Sequence, residues 1–295
     1  MFISIIFICV TLASFDIDYS LIFTPQKVCW MILFAAVYSV NTWLSGICWR
    51  NSLQVISENH IDLITAFNIY AKSNFGKYLP GNIMHLANRQ IFAVSIGMKQ
   101  TQIFQATLME LLYTCASSLL ISLSITFREL ISFIDTNFSP RAIKLSVVMT
   151  SVLVIALLFL LYVFKEKQIV YEIISLIRKK EFWVSMINSC FLMLILFTIT
   201  GLLLAFILNW WMPISIKSTF LVIAASTVSW LIGFITPGVP GGLGVRETVL
   251  IFILSGTFGK DIVLTSALIH RVIMIAGELI AYGTGITVKM VLRKN

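Results

Sequence analysis

Charged side chains are scarce in this sequence: 12% of its 295 residues are Asp, Glu, Lys or Arg, where a soluble domain carries about 25%. That scarcity excludes an ordinary soluble domain, and no polar stretch is long enough for a separate catalytic one. Histidine is rarer still, at three residues, and the five cysteines (Cys9, Cys29, Cys48, Cys115, Cys190) lie scattered in apolar surroundings. No CxxC pair and no Cys/His cluster at metal spacing occurs. The cysteines therefore read as structural thiols, and neither a metal nor a cofactor is expected. A paired-aspartate motif, an HxxxxD and a Gly-x-Ser-x-Gly are also missing, so no catalytic constellation is recognisable. A net charge of +8 is spread along the chain. That spread suits the positive-inside pattern of membrane proteins better than a nucleic-acid partner.

What the sequence has is hydrophobicity: 59% apolar residues and a mean hydropathy of +0.96. It reads as an all-α, polytopic membrane protein, one domain over 1–295, with about eight spans plus re-entrant or broken helices. The expected spans are 2–23, 28–49, 101–127, 141–164, 182–209, 217–235, the 237–256 stretch if it crosses, and 261–290. No Lys or Arg precedes Lys27, so the start reads as a span rather than a signal peptide. Residues 51–76 read as an interfacial amphipathic helix, and 165–181 as a basic amphipathic connector. Placing that connector and the basic C-terminus (Lys289, Arg293, Lys294) in the cytoplasm puts 16–27, 128–141 and 209–217 outside.

One stretch breaks the apolar pattern: Thr236-Pro237-Gly238-Val239-Pro240-Gly241-Gly242-Leu243-Gly244-Val245-Arg246-Glu247. In hydrocarbon, broken backbone is tolerated only where protein buries it or water wets it, and ionisable residues at that depth point to function. Gly241, Gly242 and Gly244 leave backbone N–H groups uncovered ahead of a helix start, a setting that attracts anions. Arg246 adds a fork suited to phosphate, and Glu247 suits the first helical turn. The plainer reading is a helix–helix corner, with glycines for close packing and an interfacial Arg.

A second stretch matches it. Pro80-Gly81 is followed after seven residues by Arg89, as Pro237-Gly238 is by Arg246. Each precedes an apolar run, then Lys99 or Lys260, then a span holding a charge, Glu110 or Arg271. This suggests pseudo-repeats around 77–127 and 234–290, the pattern that marks transporter sites. The run from Arg89 to Gly97 is too short to span and reads as re-entrant. Arg89, Arg246 and Arg271 balance Glu110, Glu247 and Glu278 inside apolar segments. They are expected to pair or to line water, because an unpaired charge at mid-membrane costs roughly 2.5 kcal/mol or more. His85 and His270 read as packing or hydrogen-bonding residues.

Pro237, Gly241, Gly242, Arg246 and Glu247, in the pattern Pro-x3-Gly-Gly-x3-Arg-Glu, resemble the signature of the lysylphosphatidylglycerol synthase transmembrane family, a flippase-like membrane domain. Trp49-Arg50, the Pro-Gly-x7-Arg segment and the Arg-bearing last span extend the similarity over most of the chain. Where the family commonly has Gly-Gly-Asp, this chain has Met84-His85-Leu86. The aminoacyl-transferase domain is absent, so synthesis of lysylphosphatidylglycerol is not expected. The resemblance implies that a phospholipid of the aminoacyl-phosphatidylglycerol kind crosses a bacterial inner membrane, with membrane lipids as the partners. Arg246, Gly241, Gly242, Gly244, Glu247, Arg89, Arg271, Glu110 and Glu278 are the candidate substrate-binding residues. Three alternatives stay open: translocation of a polyprenyl-phosphate-linked glycan, an accessory role beside glycan-assembly enzymes, and a lipid-headgroup transferase using Glu110, Glu247 or Glu278 as base. An oligomer is left open.

Overall fold

The computed structural model describes residues 24–57, 61–78, 84–137, 175–236 and 239–292, with side chains in the 84–137 stretch described through Leu123. The described chain is helical throughout, without strands. In order come α1 (Pro25–Ile56), α2 (Leu63–Asn74), a 3₁₀ turn (Phe75–Tyr78), α3 (Met84–Val94), α4 (Gln100–Asn137), α5 (Lys180–Leu208), α6 (Ile216–Ile235), a second 3₁₀ turn (Pro240–Gly242), α7 (Val245–Phe258) and α8 (Lys260–Leu292). Six segments among the described residues are long and apolar enough to cross a bilayer: α1, residues 100–123 of α4, α5, α6, the 240–258 segment and α8. The spans expected at 2–23 and 141–164, most of the 165–181 connector, and both Pro-Gly pairs lie outside the described residues.

Local chemistry sets the helix ends. Pro25 occupies the first turn of α1, where its missing N–H is no loss. Asp62 caps α2 by accepting from Thr65 N at 2.8 Å, and Ser215 caps α6 by accepting from Ser218 N at 3.1 Å. Gly259, at φ 80°, ends α7, and α8 starts at the next residue.

Two expectations change. The span expected at 28–49 does not end before Arg50: that residue stays in α1, where Nε donates to Ile61 O at 3.0 Å and Nη1 to Gln54 Oε1 at 3.2 Å. Those local acceptors satisfy the guanidinium, and the helix continues to Ile56. The segment read as interfacial does not lie on the surface of the bundle. Ala66, Phe67, Ile69, Tyr70, Ala71 and Ser73 of α2 are buried, and Asn68 Nδ2 reaches across to Gly285 O on α8 at 3.2 Å. Apolar and small residues on both of its sides let α1, α3 and α8 pack against it at once.

The axis of the bundle is α8, with 72% of its apolar window buried against at most 50% for the other five. Its closest partner is α1. A Cβ at Gly277 would lie 2.7 Å from Ala35 O, so only glycine permits that approach. The contact brings Tyr38 of α1 beside the turn that carries Glu278. The shorter helices flank this axis. By helical rise, the 11 residues of α3 and the 14 of α7 are about 16 and 21 Å long, short of a roughly 30 Å hydrocarbon core.

Candidate functional site

Among the described residues, three ion pairs sit inside the bundle. Arg89 on α3 binds Glu110 on α4. Its Nε donates to Ser73 Oγ at 3.3 Å and its Nη2 to Asn74 Oδ1 at 3.5 Å, and the guanidinium lies 4.2 Å from the Tyr70 ring centroid. The other Glu110 oxygen accepts from Tyr70 OH at 3.0 Å. Lys77, in the first 3₁₀ turn, binds Glu278 on α8, whose second oxygen accepts from Tyr78 OH at 3.1 Å. Burial weakens the proton's hold on Lys77, and Glu278 opposes that. Arg271 on α8 binds Glu247 on α7, Nε to Oε1 at 2.8 Å.

The glycine-rich turn is used differently from the sequence expectation. Gly241, Gly242 and Gly244 have φ of 59°, 71° and 77°, left-handed backbone that favours glycine. The turn presents carbonyls as well as N–H groups: Arg271 Nη1 donates to Gly241 O and Nη2 to Gly242 O, each at 3.3 Å. The Gly242 and Leu243 N–H groups close the turn on Val239 O and Pro240 O at 3.1 Å. Arg271 therefore clamps the turn to α8 with all three guanidinium nitrogens engaged. A Cβ at Gly242 would lie 2.9 Å from Arg246 Nε and 3.0 Å from Gly233 Cα. A Cβ at Gly233 on α6 would lie 2.6 Å from Arg246 Cγ. The two glycines form the slot through which the Arg246 stem passes.

Arg246 differs from the other three cations. It has no ion pair or hydrogen bond among the described residues, and its Nε is buried without a partner. Its guanidinium lies 6.0 Å from the Trp230 ring centroid, a weak cation–π approach. It lines a cavity of about 160 Å³ at the centre of the bundle, along with Arg89, Lys77, Glu110 and Glu278. It also borders a smaller one of about 50 Å³ beside Glu247, His270 and Arg271. Counting Lys77, four cations face three carboxylates in this region, so the three-against-three balance read from the sequence does not hold. The surplus charge is Arg246.

The candidate residues thus divide. Arg89, Glu110, Arg271, Glu247 and Glu278 are tied into pairs. Gly241 and Gly242 shape the turn, and nothing lies within 4 Å of a Cβ built at Gly244. Sequence reasoning missed Lys77, Gly233, Tyr70, Tyr78 and Trp230. Lys77 stood beside a Pro-Gly break and was left out of the charge census. Gly233 had one signal, a glycine inside an apolar helix, which marks close approach. No group of three or more His, Cys, Asp or Glu residues suited to a metal occurs among the described residues. Comparison with protein-family models, curated proteins and solved structures finds no match to this chain.

Proposed function

We propose that this protein moves a lipid across the bilayer, receiving the lipid phosphate at Arg246. One observation carries the reading: a guanidinium without a counter-ion among the described residues faces a cavity in a bundle where the other interior cations near it are paired. Burying an unpaired charge is costly, and an anionic ligand offsets that cost when it arrives. A phosphodiester oxygen pair fits the guanidinium fork. The resemblance of Pro237, Gly241, Gly242, Arg246 and Glu247 to the signature of the lysylphosphatidylglycerol synthase transmembrane family agrees with such a role and would imply an inner-membrane location. The basic end of α8 argues for a cytoplasmic C-terminus. A transferase is less well supported, since each of the three carboxylates is held in an ion pair rather than standing as a free base.

The arrangement of elements supports the repeat. The order helix, 3₁₀ turn, short helix, long helix occurs twice, as α2 to α4 and as α6 to α8. In both, a charge on the short helix binds one on the long helix, with signs exchanged: Arg89–Glu110, then Glu247–Arg271. The 3₁₀ turns meet, for Tyr78 lies 3.4 Å from a Cβ built at Gly241. In the second unit Glu247 takes the pairing role, which leaves its neighbour Arg246 for the cavity.

The test is headgroup appearance on the far leaflet of reconstituted vesicles. Arg246→Ala slows it by about tenfold to 100-fold, the weight of one or two charged hydrogen bonds. Arg246→Lys retains part of the rate because a point charge lacks the fork. A wild-type rate in well-folded Arg246→Ala protein overturns the phosphate site and leaves the helix-corner reading.

A further inference from the structure

We infer that the cavity selects a monoanionic lipid whose headgroup is a neutral polyol, a glycerol or a sugar, and discriminates against headgroups carrying an ammonium group. The inference rests on Arg246 as the phosphate receptor and specifies what lies beyond the phosphate.

An ammonium headgroup is favoured by a carboxylate without a counter-ion, and among the described residues each carboxylate lining the larger cavity already has one. Each oxygen of Glu110 already accepts one donor, from Arg89 or Tyr70. Each oxygen of Glu278 likewise accepts one donor, from Tyr78 or Lys77. The unpartnered Glu247 Oε2 belongs to a residue that borders the smaller cavity and not the larger one. A cationic headgroup would have to share a carboxylate with Lys77 or Arg89, which would put two buried cations against one negative charge. A mismatch of that kind discriminates by penalising the wrong ligand rather than by holding the right one.

The rest of the polar wall is neutral and of mixed hydrogen-bonding sense. The Thr200 hydroxyl donates to Leu196 O at 2.8 Å and so accepts from Asn41 Nδ2 at 3.0 Å. That leaves the Asn41 amide oxygen as an acceptor on the cavity wall. Asn74 commits its oxygen to Arg89 and keeps its N–H groups as donors. The Tyr38 hydroxyl lines the same wall with no partner among the described residues. A hydroxyl-bearing headgroup both donates and accepts, and it meets donors and acceptors here without carrying charge into the site.

The experiment ranks headgroups on the wild-type protein in a neutral detergent. Four probes compete with a fluorescent short-chain phosphatidylglycerol: dihexanoyl-phosphatidylglycerol, farnesyl-phosphoglucose, dihexanoyl-phosphatidylethanolamine and a short-chain lysylphosphatidylglycerol. The expected result is that one or both polyol lipids bind at least about tenfold more tightly than either ammonium lipid. The stronger of the two identifies glycerol or sugar as the headgroup. Equal affinities, a preference for an ammonium lipid, or no binding by any probe overturns the inference. Arg246→Ala measured alongside separates the two readings. Wild-type affinity in that variant removes the phosphate site itself, whereas its loss together with an ammonium preference in the wild type removes only the headgroup assignment.

Discussion

Arg246 and Glu247 are neighbours with opposite fates. Adjacent helical residues point about 100° apart, so Glu247 turns to Arg271 on α8 while Arg246 runs between Gly233 and Gly242 into the cavity. The slot has no spare room. Gly233→Val and Gly242→Val each place atoms where the Arg246 stem lies, and Gly242→Val also forces a branched side chain to φ 71°. Both variants are expected to lose lipid transport through displacement of Arg246. Gly244→Ala meets no neighbour and carries only the backbone penalty of a positive φ, about 1–2 kcal/mol. Transport per folded molecule, measured for the three variants together, checks this ordering; activity retained in Gly242→Val contradicts it. The sequence reading offered Arg246 and the glycine N–H groups as an anion receptor and did not foresee a use for the turn's carbonyls. Bare N–H groups are visible from composition, while the carbonyl clamp from Arg271 depends on a helix packed 29 residues away along the chain.

Among elements, the interior ion pairs join α3 to α4, the first 3₁₀ turn to α8, and α7 to α8. Apolar run length is a local property, so α5, α6 and α8 stood out in the sequence with ends close to those observed, whereas α1 and α4 run on past the expected ends, to Ile56 and Asn137. Pairing is a property of packing: Lys77 and Glu278 are 201 residues apart, and no local pattern joins them. The surface placement expected of α2 failed for the same reason, because its buried faces meet helices from both ends of the chain. Breaking a pair on one side leaves a buried charge. Arg89→Met alone is expected to lower stability by about 3–5 kcal/mol, and Arg89→Met with Glu110→Leu to recover much of that. Thermal unfolding in detergent checks it; a double variant less stable than either single one contradicts the structural role given to this pair.

For the whole molecule, a bundle built around α8 leaves a central cavity lined by side chains from all eight described α-helices. If the positive-inside reading of the basic residues from Lys289 onward holds, a C-terminal reporter that is active only outside the cytoplasm stays silent; a strong signal reverses the orientation. The central claim is that the surplus guanidinium of this interior holds a lipid phosphate. The measurement closest to it is a high-resolution density map of the protein in nanodiscs containing phosphatidylglycerol. The account predicts a phosphate peak within about 3 Å of the Arg246 guanidinium, with the headgroup against Tyr38, Asn41 and Asn74. A cavity without lipid density, and an acidic side chain from elsewhere in the chain bound to Arg246, would contradict it.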